Sequence, residues 1–139
     1  MNLIEWNKCE REYVRKTEVD KERIQSLIES SAERLKFLKT LPLTDSSVSF
    51  IAEGYYEIIK ELLVAYIIKN GLKSQNHQCL IAFFYKKNPD KEFETNLISQ
   101  FSFFRNRLDY YGEKIPAEFY KENKESFENI IKTLEKMIK

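Results

Sequence analysis

Residues Thr44–Gly71, TDSSVSFIAEGYYEIIKELLVAYIIKNG, decide how this chain folds. Val48, Ile51, Ala52, Tyr55, Ile58, Ile59, Leu62, Leu63, Tyr66 and Ile67 recur at the three- and four-residue spacing of an α-helix. Their arc is too wide for a single seam, so the spacing predicts a central helix touched by several neighbours. Thr44 or Asp45 can cap its start, and Gly71 suits the position just past its end. Glu53, Glu57, Lys60 and Glu61 keep to the remaining face.

Working outward, the flanks also read as helices. A short charged helix is expected over about 3–16, anchored by Leu3, Ile4, Trp6, Tyr13 and Val14. Thr17-Glu18-Val19-Asp20 resembles a capping box and opens a second helix that ends near Leu41-Pro42. Ser74 can cap a short fourth helix carrying Cys79, Leu80, Phe83 and Phe84, and Asn88-Pro89-Asp90 breaks it. A fifth runs from about Lys91 to Tyr111. The last begins near Pro116, with Phe119, Phe127, Ile130, Ile131, Leu134 and Met137 on its core face. Short connections favour antiparallel neighbours, so the expected fold is all-α: an up-and-down antiparallel bundle of five to six helices with negligible strand.

Composition agrees with this. The chain has 139 residues, one domain's worth, with 42% hydrophobic and 32% charged residues. Three glycines and three prolines leave few of the turns that an all-β fold needs. A net charge of +1 gives no overall basic footprint for non-specific nucleic-acid binding. Cys9 and Cys79 fit no metal spacing and no disulfide framework, so they are expected to stay reduced in a cytoplasmic protein. The N-terminus lacks the apolar core of a signal peptide, and no apolar run is long enough to span a bilayer. No phosphate-binding glycine loop, metal cluster or Ser-His-Asp order is present, so no cofactor and no metal is expected.

The segment from Phe103 to Gly112 is the candidate site. Leu97, Phe101, Phe104, Leu108 and Tyr111 share one narrow arc of the fifth helix. Arg105 and Asp109 lie beside that arc, one turn apart. Asn106 and Tyr110 lie further round, with Phe103 near them. One reading is a solvated helix edge. The other gives Arg105 a phosphate or a partner's carboxylate to hold, with hydrogen bonds from Asn106 and Tyr110. The spacing supplies no proton-transfer group near neutral pH. His77, the only histidine, opens the fourth helix without a companion acid or thiol nearby in sequence and reads as structural.

Two segments resemble the HEPN superfamily, small all-α proteins common in prokaryotes and especially in archaea. Tyr55-Tyr56-Glu57-Ile58-Ile59-Lys60-Glu61-Leu62-Leu63, then Asn70-Gly71-Leu72-Lys73-Ser74 and His77, is similar to that family's central helix and following turn. Arg105-Asn106-Arg107-Leu108-Asp109-Tyr110-Tyr111-Gly112 resembles its signature of an Arg, a polar residue and a His four to six positions later. The resemblance covers about residues 45–138, with the helices over 3–41 packing on that core. It implies a homodimer, with Phe103, Arg105, Asp109 and Tyr111 at the interface. It also implies a minimal nucleotidyltransferase or another toxin–antitoxin component as partner. In ribonuclease members the signature forms a composite site across the dimer. Here Arg105 and Asn106 match and the His does not; Asp109, Tyr110 or Tyr111 stands in its place, Tyr110 first among them. The resemblance therefore implies a non-catalytic or degenerate module first. A metal-independent ribonuclease acting on RNA through Arg105, Asn106 and Tyr110 comes second, and a plain helical adaptor third. Whether the chain is an enzyme stays open at this point.

Overall fold

A computed structural model describes residues 2–139 as an all-α bundle with one short β-ribbon. The order is α1 (Trp6–Glu12), β1 (Val14–Lys16), α2 (Lys21–Leu38), α3 (Val48–Lys69), β2 (Leu72–Ser74), α4 (His77–Lys87), α5 (Glu92–Tyr111) and α6 (Ala117–Ile138). Fourteen of the 22 residues of α3 are buried. The other long helices and β2 all touch it, which is why its apolar arc is wide.

Helix α2 runs antiparallel to α3. Leu38 lies over Gly54, where an added Cβ would stand 2.6 Å from the leucine, and Ser31 and Arg34, earlier in α2, reach Glu61, later in α3. The two backbones approach closely because position 54 carries no side chain. Helices α5 and α6 close the opposite side through an aromatic cluster. Phe101 and Phe127 stack at 4.2 Å, Phe119 leans on both, and Tyr55 and Tyr56 of α3 meet Tyr120 and Phe101. α6 lies along α3 in the same direction, since Tyr55 reaches Glu128 and Lys69 reaches the last carbonyls of α6. One apolar core joins residues of α2, α3, α4, α5 and α6.

Gly71 holds as the stop of α3 with φ of 77°, and Gly112 ends α5 in the same left-handed region with φ of 66°. α2 is capped by Asp20, which accepts from the backbone N–H of Arg23, so Thr17–Asp20 is not a capping box: Thr17 lies ahead of the helix with its N–H on Gly71 O. Four more expectations are corrected. The first helix stops at Glu12, because Val14–Lys16 leaves it to pair antiparallel with Leu72–Ser74. α2 stops at Leu38, three residues before Leu41. Asn76, not Ser74, caps α4: its Oδ1 accepts from Cys79 N, while Ser74 sits in β2 and its Oγ accepts from Asn76 N. Finally, Cys9 and Cys79 are not reduced thiols. They form a disulfide that ties α1 to α4 across 70 residues of sequence, and the argument for a reducing compartment goes with them. No helix among the described residues is long and apolar enough to cross a membrane.

Two stability outcomes follow. Phe127 is fully buried within the aromatic cluster, so Phe127→Ala should cost about 3–5 kcal/mol, read as a lower urea midpoint. Replacing both cysteines by Ser should cost about 2–4 kcal/mol by releasing a 70-residue loop. Thermal melts with and without reductant check this: the wild type should fall toward the variant, and the variant should not move.

Candidate functional site: a charged cluster between α3, α4 and α5

A helix covered on nearly every side has little room for charge, and α3 carries four charged residues in its middle. Glu53, Glu57, Lys60 and Glu61 are all half-buried, so each needs a partner. Arg34 of α2 answers Glu61 at 2.8 Å. Glu57 takes two cations: Lys60 Nζ donates to Oε2 at 2.6 Å, and Arg105 Nη2 of α5 donates to Oε1 at 3.0 Å. The Arg105 side chain is only 18% exposed and Glu57 19%.

Arg105 is held from other directions too. Its Nε lies 3.0 Å from Asp109 Oδ2, off the N–H axis, so this contact is an ion pair without a hydrogen bond. Its guanidinium sits 5.7 Å from the centre of the Tyr56 ring. Ser102, one turn before Arg105's neighbour Asn106, accepts from Gln78 Nε2 at 3.1 Å. Burial pushes the Tyr56 phenol up.

Glu53 carries the chemistry that spacing did not supply. Its carboxyl shares a hydrogen bond with Asp109, and with burial and the two neighbouring carboxylates this pushes its pKa up to about 7. Arg105 opposes the shift but does not cancel it. A proton-holding group near neutrality therefore stands beside Arg105. His77, from the first turn of α4, meets the same cluster. Burial, Lys60 and Arg105 hold its pKa below the usual imidazole value, and Glu57 works against them.

The residues singled out from sequence divide into two sets. Arg105 and Asp109 face the cluster. Tyr110 is 76% exposed and Phe103 60%. Five residues separate Arg105 from Tyr110, which turns them about 140° apart round the helix, so the two do not converge within one chain. Asn106 is half-buried on the same outer side as Phe103 and Tyr110. The apolar stripe of α5 ends at Leu108. Tyr111 is exposed, with Arg107 lying 4.2 Å over its ring and bonded to Glu113. Glu53, Glu57, Lys60 and His77 join Arg105 only through tertiary packing. For Glu53, Glu57 and Lys60 the sequence signal was indirect, charges on the one helix that could not stay solvated; for His77 there was none.

Chemically, the cluster balances two fixed cations, Arg105 and Lys60, against Glu57, Asp109 and a part-protonated Glu53. An entering phosphate would have to displace a carboxylate from Arg105. Among the described residues no group of His, Cys, Asp and Glu is placed to hold a metal ion. Comparison with protein families, with curated proteins and with solved structures gives no match for this chain.

The raised Glu53 pKa has a definite sign. A carboxyl whose folded pKa lies above its unfolded value favours the fold while protonated, and that advantage is lost as pH climbs from about 4.5 to about 7. Glu53→Gln should therefore match the wild type in acid and become progressively more stable than it up to about pH 7, then hold that lead. Urea midpoints measured for both proteins across this range check it. His77 titrates in both proteins and drops out of the difference.

Proposed function

We propose that the chain is a HEPN-like helical module that acts by association, as a homodimer through the outer edge of α5. Its partner on this reading is a minimal nucleotidyltransferase or another toxin–antitoxin component. The observation that supports this is the condition of Arg105. The one signature residue that could grip a phosphate is already gripped by Glu57 and Asp109. The side chains left for a partner are instead the aromatic line of Phe103 and Tyr110, with Asn106 between them, on the solvent side. Tyr and Phe in such a line suit the dry centre of a protein interface.

The second reading is the metal-independent ribonuclease, and a specific observation favours it. Glu53 near pKa 7 beside Arg105 is a proton donor of the right strength for acid–base work. Its weakness is charge. Carboxylates next to Arg105 repel the phosphate that such an enzyme must bind. A cytoplasmic site of action belongs to this proposal as well; the disulfide fits it in the intracellular proteins of hyperthermophiles, which commonly carry such bonds.

Sedimentation and an RNase assay test the two readings together. The wild type should run as a dimer at micromolar concentration, and Phe103→Ser with Tyr110→Ser should shift it to monomer without loss of helical circular dichroism. RNA should stay intact. A monomeric wild type would remove the proposal. Cleavage abolished by both Arg105→Ala and Glu53→Gln would establish the ribonuclease in its place.

A further inference from the structure

At the end of the molecule away from the outer edge of α5, the β-ribbon, the end of α1, the start of α2 and the last turns of α3 line an open cleft of about 600 Å³. That is the size range of small-ligand sites. Arg15, Arg23 and Lys73 line it against a single carboxylate, Glu12, which leaves a surplus of two positive charges. None of the three cations forms an ion pair among the described residues.

Their placement is costly in itself. Arg15 and Lys73 are directly opposed across the ribbon, and like charges at that position repel. Arg23 stands in the first turn of α2, where the positive end of the helix disfavours a cation. A dianion between them relieves both. The wall behind is apolar: Val64, Ile67 and Ile68 of α3, with Tyr13 alongside. Ser74 and Asn76 add polar groups at the rim. The Oγ of Ser74 accepts from Asn76 N and keeps its own hydrogen to donate, and Asn76 Oδ1 is spent on the helix cap, leaving its amide hydrogens.

We infer that this cleft binds a small phosphate monoester carrying an apolar or aromatic body. A phosphate monoester brings about −1.5 to −2 charges at pH 7, which matches the surplus, where a carboxylate would bring one. Arg15 and Lys73 take the phosphate oxygens, Arg23 closes on it from α2, and the body lies on Val64 and Tyr13. The site owes nothing to Arg105, so it stands or falls apart from the association proposed above.

Calorimetric titration in phosphate-free buffer tests it, using adenosine monophosphate as probe, with adenosine, inorganic phosphate and a short single-stranded RNA as separate arms. The monophosphate should bind saturably, one per chain. Adenosine should not bind, and inorganic phosphate should bind more weakly, since each lacks one half of the match. Arg15→Gln and Lys73→Gln change exposed side chains and should leave the helical spectrum intact while each weakens the monophosphate by about tenfold or more. Three results would overturn the inference: no saturable binding at about 1 mM, equal binding by the variants, or a salt-sensitive RNA complex with no binding of the monophosphate. The last would make the basic end a surface for an extended polyanion.

Discussion

Glu57 stands on a helix that the fold covers on most sides, and its carboxylate takes both Lys60 and Arg105. Much of the bundle's geometry follows from that constraint. A carboxylate at this depth must be paired, and the cation that pairs it comes from α5, so α5 has to lie antiparallel along α3 with Arg105 turned inward. Once Arg105 faces α3, Phe101 points into the α3–α6 cleft and stacks on Phe127, and Phe103 and Tyr110 are carried to the solvent. The polar and apolar registers of α5 are thus one decision.

The same pairing governs what the site can do. Arg105 between Glu57 and Asp109 is a structural cation first. The two carboxylates that hold it also crowd Glu53, whose proton stays on to about neutral pH because Asp109 shares it. The cluster therefore contains an acid of suitable strength next to a cation that is already neutralised. That combination suits a polar core that fixes helix register, and it suits phosphate chemistry poorly unless something opens it.

Much of the fold was legible because the deciding signals are local. The breadth of the apolar arc from Val48 to Ile67 marked α3 as central, and Gly71 and Gly112 marked the left-handed stops of α3 and α5. What stayed hidden depends on contacts distant in sequence. Val14–Lys16 reads as the tail of a helix until Leu72–Ser74 arrives to pair with it. Cys9 and Cys79 look like unrelated thiols until α1 is laid against α4. His77 has no partner nearby in sequence, yet Lys60 and Arg105 act on it through space. The site was half visible for the same reason. Arg105 and Asp109 are one turn apart on one helix, whereas Glu53 and Glu57 approach them only once two helices have docked.

A double-mutant cycle on Glu57 and Arg105 tests this account most directly. Urea unfolding would be measured for the wild type, Glu57→Gln, Arg105→Met and the double variant. If Arg105 is the structural counter-ion of α3, each single change is strongly destabilising, the second costs far less once the first is made, and the coupling falls at about 1–3 kcal/mol. Additive effects, with coupling near zero, would mean that Arg105 stands free of Glu57 and would return it to the pool of residues available for a phosphate.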